Sequence, residues 1–269
     1  MAHLVLVLLL LTAHQLSAQS YHNISLGTTF TPLSPPKSWP SPSGDFAFGF
    51  RPLETNPTLF LLSVWFDKVG GKTVVWTTNG DNPVADGSKA ELTSSGQLSL
   101  KDPTGQEIWN AGVSKASHAS MLDTGNFVLY SAGSAIIWQS FDHPTDTILP
   151  GQVLNQGAKI YARILDSDYS PGRFELTLQE DGNLVLYPLA YPTKLEYEAY
   201  WSSATFGSGI RLIYNESGSI YLSFINNSQY SVISTAILSD NYYQRATLDP
   251  DGGFRYLKIW ELFQKKKIG

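Results

Sequence analysis

Cysteine is absent from this chain of 269 residues. That excludes a disulfide framework, a thiolate zinc site, a thiol nucleophile and an iron–sulfur cluster. Histidine is scarce, and two of the five, His3 and His14, sit in an apolar N-terminal leader. The others, His22, His118 and His143, are scattered without metal-ligand spacing, so no metal and no cofactor is expected. Basic residues are also short, 18 Lys+Arg against 23 Asp+Glu, for a formal charge of −5. Nucleic acid requires a basic footprint and is excluded as a partner. Charged residues of either sign reach 15%, below the roughly 25% of ordinary globular chains. Aromatics make up 13%, with 22 Gly and 15 Pro, which describes a folded, turn-rich chain.

Long hydrophobic runs are missing as well. The run Leu4 to Leu11 is eight residues long, too short for a bilayer that needs about 20. Small and polar residues follow from Ala13 to Ala18, so residues 1–18 are expected to be a cleavable signal peptide. No later stretch suggests a membrane span. Three glycosylation sequons begin at Asn23, Asn215 and Asn226, and a proline disqualifies Asn56-Pro-Thr58. The expected location is secreted and extracellular, the apoplast in a plant.

Helical periodicity is the last thing lacking. Segments such as Phe60-Leu-Leu-Ser-Val-Trp65, Thr73-Val-Val-Trp76 and Leu184-Val-Leu-Tyr187 are short, aromatic and β-branched, and turn residues bound them. The expected class is all-β. An internal repeat organises these strands. Residues 89–109 and 118–138 superpose without a gap at an offset of 29, pairing Gly96 with Gly125 and Trp109 with Trp138. The shared pattern is an apolar residue four before a glycine and apolar residues two and four after it. It recurs around Gly182 and Gly252, more loosely around Gly218, and by half around Gly44. The longest interval, 57 residues, separates Gly125 from Gly182, so the six copies fall into two groups of three. Each copy reads as a hairpin whose glycine takes a positive-φ turn position. One hairpin buries too little surface to stand alone; three around an axis can share a core. Trp76, Trp109, Trp138 and Trp201 are expected to fill such cores.

One copy carries a chemical pattern. Gln179, Asp181, Asn183, Val185 and Tyr187 follow one another with a period of two, which places them along one side of a hairpin. Asp accepts, Asn and Gln donate and accept, and a Tyr hydroxyl does both. This mixture suits adjacent sugar hydroxyls, with Val185 offered to the C–H face of the ring. The competing reading makes Asp181-Gly182 a plain turn, Asn183 its cap and Tyr187 a packed aromatic; it explains Asp, Gly and Asn but leaves the pairing of Gln179 and Tyr187 in the pattern without a reason. Catalysis is not expected. Glu180 and Asp181 form the close carboxylate pair inside this motif, yet adjacent strand residues point to opposite faces and cannot flank one bond.

The motif resembles the mannose-binding signature of bulb-type (monocot mannose-binding) lectins. Wider stretches resemble the extracellular lectin region of plant S-domain, or G-type lectin, receptor-like kinases. They are Ser43-Gly-Asp-Phe-Ala-Phe-Gly-Phe50, Val74-Val-Trp-Thr-Thr-Asn79, Met121-Leu-Asp-Thr-Gly-Asn-Phe-Val-Leu129 and Trp138-Gln-Ser-Phe-Asp-His-Pro-Thr-Asp-Thr-Ile-Leu-Pro150. The resemblance covers roughly residues 22–258. It implies tandem β-prism II domains, expected at 19–150 and 151–260 with a basic tail at 261–269. It also implies a carbohydrate site at Gln179, Asp181, Asn183, Val185 and Tyr187. The copy around Gly125 keeps only Asn126, Val128 and Tyr130 of the signature, a degenerate second site, because Leu122 and Thr124 replace its Gln and Asp.

Receptors of that group continue into cysteine-rich modules, a transmembrane helix and a cytoplasmic kinase. This sequence is expected to stop before them, since no kinase glycine loop or catalytic-loop Asp is recognisable. The expectation is a non-catalytic recognition module binding mannose-type glycans or glycoproteins, with a homo-oligomer or a sister receptor as possible partners. The alternative is a sugar-silent protein-recognition or decoy module. Defence and self-recognition both fit either reading.

Overall fold

The computed structural model describes residues 23–233 and 242–260. The expected signal peptide and the basic tail lie outside them. Among the described residues the chain forms antiparallel strands and one short 3-10 turn at Ser140–Asp142. The strands make six small sheets. Three sheets use only residues up to Gln139, and three use only residues from Thr147 onward. The all-β architecture is therefore two sets of three sheets, each set wrapped around its own core.

The repeat determines this arrangement. In every copy the glycine has positive φ, from +76° at Gly44 to +92° at Gly218. The glycine N–H donates to the carbonyl three residues earlier, for example Gly96 to Thr93 at 2.9 Å and Gly182 to Gln179 at 2.9 Å. In five copies the N–H of that earlier residue returns the bond to the residue just after the glycine, as in Gln179 to Asn183 at 2.9 Å. This is a type I turn closed by a left-handed glycine bulge. The copy around Gly44 differs: Ser41 N–H reaches past Asp45 to the carbonyl of Phe46, at 2.8 Å. One extra turn residue explains why only half the pattern was visible there.

Alternation then sorts the side chains. Leu98 and Leu100, Phe127 and Leu129, and Ile220 and Leu222 are fully buried in their respective cores. In the first set Trp76 and Trp138, which are buried, and Trp109, which is half-buried, meet as a triangle, with ring centroids 5.8–6.3 Å apart and edge-to-face planes. Such pairs add about 0.5–1.5 kcal/mol each beyond the area they bury. Trp201 departs from expectation. It is 36% exposed, because the corresponding axis offers Val232 and Ile233 in place of indoles and leaves an apolar recess beside Leu184, Leu186 and Phe254.

The two sets touch through polar and aromatic contacts. Tyr243 packs on Phe66 at 5.1 Å and donates its hydroxyl to Asp45 at 2.7 Å. Burial alone would raise the Asp45 carboxyl, but Lys68, Tyr243 and Ser43 outweigh it and hold it below the usual carboxylate range. Gly80 lies flat against the backbone of Tyr169, and the Ser170 hydroxyl donates to its carbonyl at 3.3 Å.

Two glycines with the same φ of +88° separate conformation from crowding. A Cβ on Gly105 meets nothing within 4 Å, whereas one on Gly182 lies 2.5 Å from the carbonyl oxygen of Gly207. Gly105→Ala is expected to cost only the left-handed backbone term, about 1–2 kcal/mol. Gly182→Ala is expected to cost about 1–3 kcal/mol more, since a backbone carbonyl must move. Urea midpoints of the two variants check this, and equal losses would remove the crowding argument.

Candidate functional site

The five motif residues lie on the sheet built from Lys159–Leu165, Asp168–Leu178, Leu184–Pro188 and Trp201–Ser202. Leu184 and Leu186 point into the core. Val185 and Tyr187 take the opposite face, where Thr177 and Glu175 sit directly across from them. Asp181 and Asn183 occupy the turn, and Gln179 stands at its base. Asp181 is exposed and accepts the Asn183 N–H through Oδ1 at 3.0 Å.

Gln179 and Tyr187 converge. The Gln179 amide donates to the Tyr187 hydroxyl at 2.9 Å. Gln179 pairs with Asn183, so Tyr187 lies four residues further along the neighbouring strand. Four residues rise about 13 Å, and both side chains must therefore lean over the intervening Thr177–Val185 pair. Their hydrogen bond forms an arch. Val185, which the motif offers to a ring face, is only 2% exposed beneath it. The sequence pattern alone gave no sign of that cover.

Asn183 has a second attachment that motif reading missed. Its Oδ1 accepts the Ser203 hydroxyl at 3.1 Å, and Ser203 Oγ accepts the buried Leu184 N–H at 3.0 Å. The third copy repeats this clasp: Ser140 donates to Asn126 Oδ1 at 3.2 Å and accepts the Phe127 N–H at 2.9 Å. A signal was present in the spacing, since Trp138-Gln-Ser140 and Trp201-Ser-Ser203 both follow a Gly-Asn turn. Where the turn carries Gln97 instead, Ala111 stands in the serine position. The clasp fixes the amide plane, turning Asn183 Oδ1 inward and its donors outward.

Beyond Tyr187 the same face becomes charged. Glu175, nearly fully buried, is paired with Lys159 at 2.7 Å, and Lys159 also reaches Glu196 at 3.4 Å. Burial disfavours the Lys159 ammonium, yet Glu175 overrides it and holds the amine above its ordinary range. A buried carboxylate survives only with such a partner.

The degenerate copy is more thoroughly built in. Asn126 is buried, and both lone pairs of its Oδ1 are used, by Ser140 and by the Phe141 N–H at 3.2 Å. Its amide donates to Gln139 at 2.9 Å. Val128 is fully buried and Tyr130 stacks on His118 at 4.9 Å. Of the sequon asparagines, Asn23 and Asn226 are exposed and Asn215 is half-buried in the fifth hairpin turn.

Residues 73–167 match the family model described as D-mannose binding lectin. That stretch holds the second and third hairpins and ends before Gln179. The chain is 48% identical over 269 aligned residues to the G-type lectin S-receptor-like serine/threonine-protein kinase LECRK3 of Oryza sativa subsp. indica, covering 95% of this chain and 33% of the relative. It is 41% identical to the similarly described RLK1 of Arabidopsis thaliana, covering 86% of this chain and 30% of the relative. The chain thus spans about a third of the length of these relatives. Among solved structures, Tarin lectin bound to trimannose is 24% identical, at a TM-score of 0.33, covering 44% of this chain and 94% of its own. The mannose-specific snowdrop agglutinin is 19% identical, at a TM-score of 0.34, covering 46% and 99%.

The serine clasp makes its own prediction. Ser203→Ala and Ser140→Ala each leave a buried backbone N–H without its acceptor, so each is expected to lower stability by about 1–3 kcal/mol. Chemical denaturation measures the loss, and two neutral variants would show the clasp to be incidental.

Proposed function

This chain carries a bulb-type lectin domain and is related over most of its length to the G-type lectin S-receptor-like serine/threonine-protein kinases, and from that premise we propose that it binds mannose-type glycans reversibly, without chemistry, in the extracellular space. The observation that carries the reading is the convergence of Gln179 and Tyr187 over Val185. Two polar groups that already meet each other at 2.9 Å are placed to meet a sugar's neighbouring hydroxyls instead. Their parting uncovers Val185 for the ring's C–H face. Asp181 supplies an exposed acceptor and the clasped Asn183 supplies donors in a fixed plane, which together match hydroxyls that both donate and accept.

The ligand must displace an existing hydrogen bond, and the site is shallow, so one monosaccharide is expected to bind near millimolar, about −4 kcal/mol. Useful strength then comes from several sites on an oligomer, or from a sister receptor, meeting a glycan array. The two sets of sheets act in this reading as tandem lectin units, with the intact site on the second and the third hairpin retained as structure.

Tyr187→Phe removes one hydroxyl and leaves the ring in place. It is expected to weaken mannose binding about five- to tenfold, and Asn183→Ala to abolish it, in a titration followed by NMR. A wild-type chain that is folded and silent on a mannose array overturns this proposal and favours protein recognition.

A further inference from the structure

The face that carries Tyr187 does not end at its own strand. Glu175 lies directly across from Tyr187, and Tyr161 lies directly across from Glu175 on the next strand. With strands about 4.8 Å apart, Tyr161 stands roughly 10 Å from Tyr187 along one continuous surface. Tyr161 also lines a cavity of about 200 Å³ between the two sets of sheets. Its other walls include Tyr169, Thr78, Thr145, Asp81 and Arg163. Thr78 and Asp81 come from the first set, and the remaining residues from the second or from the connection between them.

We propose that this cavity is a second saccharide subsite, so that the protein reads a neutral oligosaccharide laid from the Gln179–Tyr187 arch across Tyr161 into the cleft. The inference rests on the sugar-binding reading above and adds to it the length of the ligand. The wall chemistry supports it. Tyr161 and Tyr169 bring two half-buried aromatic rings, and Thr78 and Thr145, which donate to Asn79 at 3.4 Å and to Asp146 at 3.3 Å, bring hydroxyl oxygens that can accept, the combination of apolar body and polar tips that a pyranose presents in return. The strong charges are already matched. Arg163 is paired with Asp146, its Nε 2.6 Å from Oδ2, and covers the Tyr169 ring at 4.2 Å. Lys159 is matched by Glu175 on the approach. The exposed Asp81 at the mouth adds one acceptor and repels anions. Among the described residues that line the cavity the one cation, Arg163, is already paired, so a phosphate or a uronic acid finds no unmatched cation there, whereas the rings and hydroxyls suit a neutral polyhydroxyl chain.

The test compares mannose with a linear α-linked mannopentaose on the intact chain, by NMR titration. The pentasaccharide is expected to bind about tenfold more tightly than the monosaccharide, with shift changes at Tyr161 and Asp81 that mannose alone does not produce. Asp81→Ala, an exposed change, is expected to remove most of that gain while leaving mannose affinity as it was. If mannose binds but added length brings neither gain nor shifts at the cleft, the second subsite is overturned and the first site stands. If neither sugar binds, both fall.

Discussion

A single backbone hydrogen bond, from a glycine N–H to the carbonyl three residues before it, governs the shape of this protein. The glycine's positive φ, a conformation that costs other residues about 1–2 kcal/mol, then swings the chain back so that in five copies the carbonyl after the glycine meets the N–H of the turn's first residue. Used six times, it turns each hairpin at the same point of its pattern. The apolar residues two and four positions later then face inward, and three hairpins together build a core that none builds alone. The tryptophan triangle of the first set is the most regular product of this rule. The site is a product of it too, because the turn at Gly182 is what aligns Gln179, Asn183 and Tyr187 on one surface.

Much of the fold was legible because its signals are local. Glycine position, period-two alternation and the repeated Trp spacing each constrain a few neighbouring residues, and the six hairpins stand where those signals put them. The extra residue after Gly44 blurred one copy without hiding it. Trp201 was misjudged because its burial depends on what the other two strands bring to the axis, and Val232 with Ile233 are not indoles. The sequence around Gly182 contains no trace of that shortage.

The shared face of the candidate residues was legible, and the contacts among them were not. Period two placed Val185 on the same face as Tyr187, and the structure agrees. It could not reveal that Gln179 and Tyr187 lean across it, since that contact joins side chains separated by two rows of the sheet. Nor does a single motif window show Ser203 holding Asn183 from just past the strand Trp201–Ser202, twenty residues further on. The Gly-Asn and Trp-x-Ser elements had to be read as a pair, and the repeat supplies the control: where Asn becomes Gln97, the serine position holds Ala111. Half of what looks like a recognition motif is therefore also architecture, which ties the site's geometry to the fold's stability.

The arch over Val185 has a bearing on discrimination. An empty face that left its amide, phenol and valine bare would adhere to many passing surfaces. Here the face is self-satisfied, its polar tips joined and its apolar floor covered. An intruder presenting only a greasy surface has nothing to exchange for the bond it would break, and a lone hydroxyl replaces half of it. In the proposed reading, that arrangement favours partners that bring two suitably spaced polar atoms and a hydrophobic edge together, a demand set by the protein's own side chains.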